Sequence, residues 1–335
     1  MQKARTMIDL RTIWAVLPVV VACSSTPKPV DDQLRADPPL TSAQPSAAKG
    51  NPDLDRGVAF LKNDKFADAV PHLKKALEAE PKSAEAAFYL GVAIEQTGGD
   101  KAEVEKLYKQ ALAFNPKLVD AAQNLAAMYL DEPPRPDDAI PVLQKALSHA
   151  PGDPKLLTNL GYAYSLKKDV EKAQNAYEQA LAKEDTPQLR FALGTALFEN
   201  KKAEAAVPHL LKAAAAMNDD AASLATIAAM LGPGKAFSDC VRLLDRALTL
   251  KPGVPELLVR RGVCQHELKK EREAAKDFEA AIKVDAKYQP AHYYLGLSLL
   301  AQKNKPGGRN ALKKAVALGK DTPIGKRAQQ ELDKP

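Results

Sequence analysis

The chain is 335 residues long, 45% hydrophobic and only 5% aromatic, with 48 lysines and arginines against 42 aspartates and glutamates. A net charge of +6 over so long a chain is too dilute to mark a nucleic-acid-binding surface. Such a length would ordinarily make two conventional domains, but few aromatics and abundant alanine suit thin helices packed by small residues.

Residues 1–22 have the layout of a signal sequence. Lys3, Arg5 and Arg11 make a positive start, with Asp9 among them, and Ile13 to Ala22 is apolar but too short to span a bilayer as a helix. The stretch ends Val20-Val21-Ala22-Cys23. A small residue before a cysteine, with an aliphatic residue three before it, resembles the bacterial lipoprotein box. That resemblance implies cleavage before Cys23, acyl chains on its thiol and new amino terminus, and a lipid-anchored protein of the bacterial envelope. Ser24 after the anchor leans to the outer membrane, facing the periplasm, by the sorting rule of enteric lipoproteins. Without the resemblance, the same stretch serves ordinary secretion or a short uncleaved anchor. Removing it leaves 45 basic against 41 acidic residues, or +4. Residues 23–49 carry five prolines and no apolar period. They read as a disordered tether reaching about 30 Å.

From residue 50 a pattern repeats. Gly57, Phe60, Ala69, Ala76 and Pro81 form a first copy; Leu90, Gly91, Tyr108, Ala111 and Pro116 a second. Leu125, Tyr129, Ala139, Ala146 and Pro151 form a third. The fourth, Pro154 to Pro187, is the clearest, with Leu160, Gly161, Tyr164, Ala173, Tyr177 and Ala180 at helical spacings around the polar turn Lys167-Lys168-Asp169. Four more copies follow. They are marked by Leu193, Gly194, Ala206 and Ala213; by Ile227, Ala228 and Ala247; by Gly262, Ala274, Phe278 and Ala281; and by Leu295, Gly296, Leu312 and Ala315. Each copy predicts two amphipathic helices whose small residues let them approach closely while the aromatics fill the space beside them.

This 34-residue unit resembles the tetratricopeptide repeat. The resemblance implies an all-α solenoid of about eight helix-turn-helix repeats over residues 50–322. Residues 323–335, with Ile324, Ala328 and Leu332 on one face, would be a capping helix. Two second helices are expected to be short or frayed: the sixth, which carries Cys240 and follows Gly232-Pro233-Gly234, and the eighth, which carries Pro306, Gly307 and Gly308. Pro71, Pro141 and Pro208 share one repeat position, early in a second helix where a lost donor costs least. Cys240 and Cys264 take positions for small packed residues; an exported setting permits a disulfide between them if their Cα atoms lie within about 7 Å.

In the family the first helices line a concave groove that binds peptides or helices. Here that implies a partner-binding groove of Phe88, Gln123, Asn124, Thr158, Asn159, Tyr162, Phe191, Thr195 and Phe198, with the aromatics as anchors and the amides as clamps for a partner backbone. Nothing in the sequence marks catalysis. The five histidines fall in five different repeats without metal-ligand spacing, and there is no phosphate-binding glycine loop and no nucleophile elbow. The expectation is therefore a non-enzymatic adaptor or assembly factor, with no cofactor, metal, nucleic acid or small-molecule substrate. Its partners would be an envelope protein or peptide, and the membrane through the lipid anchor. A pilotin-like lipoprotein is one form of that reading. An accessory regulator of an envelope or cell-wall-remodelling enzyme is the alternative.

Overall fold

The computed structural model describes residues 51–216 and 220–334. The signal stretch, Cys23 and the tether lie outside the described residues. Among the described residues there are seventeen α-helices and no strand. They pair in chain order: α1 (Pro52–Leu61) with α2 (Phe66–Ala79), α3 (Ala84–Gln96) with α4 (Lys101–Phe114), α5 (Val119–Leu130) with α6 (Pro136–His149), and α7 (Pro154–Leu166) with α8 (Val170–Leu181). Next come α9 (Pro187–Glu199) and α10 (Ala203–Ala216), then α11 (Ala221–Leu231) with α12 (Phe237–Leu250), α13 (Pro255–Glu267) with α14 (Glu271–Val284), and α15 (Gln289–Ala301) with α16 (Lys305–Leu318). A last helix, α17 (Pro323–Leu332), packs on α15 and α16 through buried Ile324, Ala328 and Leu332. The pairs fall into two compact units, which divide between Ala192 and Leu193, within α9.

Local chemistry sets the helix starts. The Asn51 side chain accepts from the backbone N–H groups of Asp53 and Leu54 at 3.1 and 3.3 Å, and Ser83, Asp100, Asp153, Asp169, Asp220, Asn304 and Thr322 cap later helices in the same way. The turn inside seven of the eight pairs uses one left-handed residue: Asp64, Gly98, Lys168, Lys201, Lys235, Lys269 or Lys303. A non-glycine there costs about 1–2 kcal/mol, so the turn is held by the packing of the two helices it joins. The third pair turns instead through the cis peptide Glu132–Pro133.

Within a pair, the glycine of the first helix sets the spacing. A Cβ at Gly161 would stand 2.6 Å from Cε1 of Tyr177, and one at Gly262 would stand 2.5 Å from Cε1 of Phe278. The missing side chain is therefore the space that the ring of the second helix occupies.

Two expectations need correction. Helices α12 and α16 are full-length, at 14 residues each. Cys240 is wholly buried, as the small residue it replaces would be, and it is bonded to Cys264. Gly308 is needed for close approach, since a Cβ there would lie 2.9 Å from the Gly296 carbonyl oxygen, and Pro306 sits in the first turn of α16, where a proline removes no helical bond. Pro71, Pro141 and Pro208 are not in the first turn but are the sixth residues of α2, α6 and α10. They are tolerated for a different reason. All three are exposed, as are Ala67, Asp137 and Glu204 four residues earlier, so water can reach the carbonyls left without an amide donor. Of the two readings left open for Cys240 and Cys264, the structure takes the bonded one: their Cα atoms are 6.4 Å apart and their sulfurs are joined in a disulfide from α12 to α13. Arg261 ties the same helices, donating to Asp277 of α14 at 2.5 and 2.8 Å and to Asp245 of α12 at 2.7 Å.

In the first unit, Glu105 of α4 gathers donors from three sides: Lys109 at 2.6 Å, Arg135 at 2.8 Å and the Tyr129 hydroxyl at 3.1 Å. The Arg135 guanidinium also lies over the Tyr129 ring, 4.4 Å from its centre. The bond from Lys109, then those from Arg135 and Tyr129, lower the Glu105 carboxyl from 4.5 to about 2. Because the folded value is depressed, the stability it contributes is present above the unfolded value and is lost as pH falls from about 4.5 through about 2. With solvent access to the site, that contribution is about 1 kcal/mol. We expect Glu105→Gln to lower the urea midpoint at pH 7 and the gap from wild type to close by pH 2–3. A gap independent of pH would mean that the charge is not what stabilises.

Candidate partner-binding faces

The first helices α3 and α5 are buried on nearly every side. In α3 every residue from Ala86 to Ile94 is buried, and α5 is almost as enclosed. Each first helix packs on its own second helix, while α1 with α3 and α5 with α7 also pack first helix on first helix. Little of such a helix is left to face a partner, and this decides the fate of the nine candidate residues.

Four are interior, which corrects their reading as groove contacts. Phe88 is 1% exposed, with its ring 5.3 Å from that of Tyr89 and 5.9 Å from that of Tyr108. Gln123 is buried, and its amide donates to the Asp153 carboxylate at 3.2 Å, the same carboxylate that caps α7 through the Leu156 N–H. Asn124 is buried and its amide points at the Tyr108 hydroxyl, 3.5 Å away. Asn159 is fully buried. The amides of Gln123 and Asn124 reach neighbouring repeats and so serve the protein's own repeat-to-repeat contacts, while Phe88 packs within its own pair.

Thr158 and Tyr162 on α7 are half-buried and reach the surface of the first unit. The Thr158 hydroxyl donates to the Pro154 carbonyl at 2.7 Å, within its own helix, while Tyr162 packs against Ala127 of the preceding first helix. Phe191 is half-buried in the same unit, and Thr195 and Phe198 are half-buried in the other. The structure thus keeps five of the nine at a surface, three in one unit and two in the other.

Charge collects at the starts of the first helices of the first unit. Burial raises the Asp120 carboxyl; Lys155 offsets part of that and Asp153 adds to it. Tyr89 is pushed up to about 12, first by burial and then by Glu85 and Asp120. In the second unit Arg260 is 7% exposed, and burial pushes its pKa down against the pull of Tyr288, Tyr294 and Glu256. Arg260, Asp120 and Tyr89 were not singled out by the sequence reading.

Among the described residues no group of three or more His, Cys, Asp or Glu side chains is placed to hold a metal ion. No described helix is long and apolar enough to cross a membrane. His72 bonds Asp53 at 3.1 Å and stacks on Phe60, His266 bonds Glu271 at 2.7 Å, and His292 is buried against the Ala286 carbonyl at 2.9 Å.

Among curated proteins no match is found. Among solved structures, the chain is similar to "MamA AMB-1" at 25% identity and a TM-score of 0.43, over 48% of this chain and 87% of that one. It is similar to "YrrB: a TPR protein with an unusual peptide-binding site" at 20% identity and a TM-score of 0.39, over 67% and 97%. It is also similar to yeast Tom70 at 15% identity and a TM-score of 0.46, over 90% and 68%. One family model, described as the tetratricopeptide repeat, matches residues 54–119, 167–222 and 270–323, and a second of the same description matches 135–192. With those matches and the repeated helix pair, the chain belongs to the tetratricopeptide-repeat family.

Proposed function

We propose that this protein is a non-enzymatic adaptor of the bacterial cell envelope that holds a peptide or helix of a partner protein on the surface formed by its first helices. The observation that carries this reading is the half-exposed pair Thr158 and Tyr162 on α7, set against a rigid backing of buried first helices. A preformed aromatic surface costs little entropy to bind, and a tyrosine held from behind presents both ring and hydroxyl. Phe191 in the same unit, and Thr195 and Phe198 in the other, are further candidates of this kind. Tyr162→Ala, in a protein that keeps its helical content and melting temperature, should weaken capture of the partner from envelope extracts at least tenfold, as truncation of an interface aromatic does. Undiminished capture by that folded variant sends the partner to another face.

Placement in the envelope is part of the same proposal. It rests on the basic start, the apolar stretch and the Val20-Val21-Ala22-Cys23 box, and a buried disulfide further along supports an oxidising compartment. Acyl chains on Cys23 would exceed the two-signal threshold for stable anchoring. Cys23→Ala should therefore release the protein from membranes or leave an uncleaved precursor. Unchanged fractionation and mass would end the lipoprotein reading. A pilotin-like role is one instance of this adaptor function.

A further inference from the structure

The first unit has a cavity of about 290 Å³ between α4, α5 and α6. Its floor is apolar and fully enclosed: Ala122 is 2% exposed, Leu125 1% and Ala146 4%. Leu112 and Val142 form half-buried walls. Among the described residues, the charged ones that line it are Lys109 and Lys145, both exposed. Lys109 is already engaged by Glu105 at 2.6 Å. Lys145 has no ion-pair partner among the described residues, so one cation stands free beside an apolar hole.

We infer that this cavity is a second docking site, and that it takes a partner segment in which one bulky aliphatic side chain sits next to a carboxylate. The apolar group would fill the space over Leu125 and Ala146, and the carboxylate would meet the Lys145 ammonium. The volume is at the small end for ligand sites. It suits one bulky side chain with part of its neighbour better than a long acyl chain. A charge-assisted contact to Lys145 is worth little by itself in water, but it selects acidic over basic neighbours and so fixes which sequence docks. The site is walled by α4 and α6 and floored by Ala122 and Leu125 of α5, whereas the proposed partner surface is centred on Thr158 and Tyr162 of α7. The inference deepens the adaptor reading and rests on it in one respect only, that the occupant is a protein segment.

The test uses the whole chain with ¹³C-labelled leucine and valine methyl groups, and the peptide acetyl-Gly-Leu-Asp-Gly-amide as probe. Saturable shifts confined to the Leu112, Leu125 and Val142 methyls are expected at millimolar peptide. The same peptide with lysine in place of aspartate should bind at least fivefold more weakly. Lys145→Glu, a surface change that leaves the fold alone, should reverse that preference, and Val142→Trp should fill the cavity and remove the shifts. Absence of saturable shifts, or equal binding of the acidic and basic peptides, overturns the proposal. So does movement of these methyls by octanoate but not by the acidic peptide, which would make the cavity a fatty-acid site. None of these readouts involves Tyr162, so loss of the first-helix surface and loss of this site are told apart.

Discussion

Gly262→Val should cost about 3 kcal/mol of stability, near the upper end for overpacking a core. A Cβ at this position would lie 2.5 Å from Cε1, 2.9 Å from Cζ and 3.0 Å from Cδ1 of Phe278. The ring cannot retreat, because Phe278 is completely buried and stacks on Tyr294 of the next pair at 5.9 Å between centres. Helix propensity works the other way, since valine is the better helix former by a few tenths of a kcal/mol, and it is outweighed. The third and sixth repeats show how the same space is filled otherwise. They put Ala126 and Ala228 at the glycine position and Leu143 and Leu244 at the ring position. The double variant Gly262→Ala with Phe278→Leu should therefore lose less than the sum of its single changes, by at least about 1 kcal/mol in a urea-unfolding cycle. Additive losses, or a Gly262→Val cost below about 1 kcal/mol, would show that the pair does not set the helix spacing.

That pairing also explains how much could be read in advance. Glycine opposite a large residue, repeated every 33 to 35 positions, is a local rule about two helices, and local rules survive in sequence. The helix pairs and the close approach at Gly161 and Gly262 were legible for this reason. The inner turns were legible as polar breaks, but their left-handed lysines were not, because nothing in lysine itself announces a positive φ. The candidate site fared worse, for a non-local reason. Whether Gln123 or Asn159 faces a partner or the next repeat depends on how closely first helices of successive pairs pack, and the spacing within one repeat does not contain that. Gln123 finds Asp153 thirty residues away, and Phe88 finds Tyr108 across its own pair. The better signal was composition: a helix such as AEAAFYLGVAIEQ is apolar nearly all round and belongs inside. By the same logic Thr158 and Tyr162, on a helix with more polar positions, keep part of their surface.

The disulfide is where sequence left two readings open, and its removal should have an effect as large as the glycine change. Cys240 and Cys264 are 24 residues apart, and the bond joins the second helix of one pair to the first helix of the next. Closing a loop of that size restricts the unfolded chain enough to stabilise the fold by about 3 kcal/mol in the chain-entropy account. Both cysteines are wholly buried, so alanine at each position keeps a small apolar residue and adds only the loss of sulfur packing, about 1 kcal/mol or less. Cys240→Ala with Cys264→Ala should therefore lower the free energy of unfolding by about 3–4 kcal/mol without changing helical content in the folded state. Burial gives a second expectation. A reductant added to the folded protein should act slowly, because thiolate attack requires access to a sulfur. The same reductant in urea near the transition should act quickly and shift the midpoint toward that of the double alanine variant. A double variant that unfolds within about 1 kcal/mol of wild type would mean that the contact of α12 with α13, reinforced by Arg261 between Asp245 and Asp277, already holds this junction and that the bond adds nothing to it.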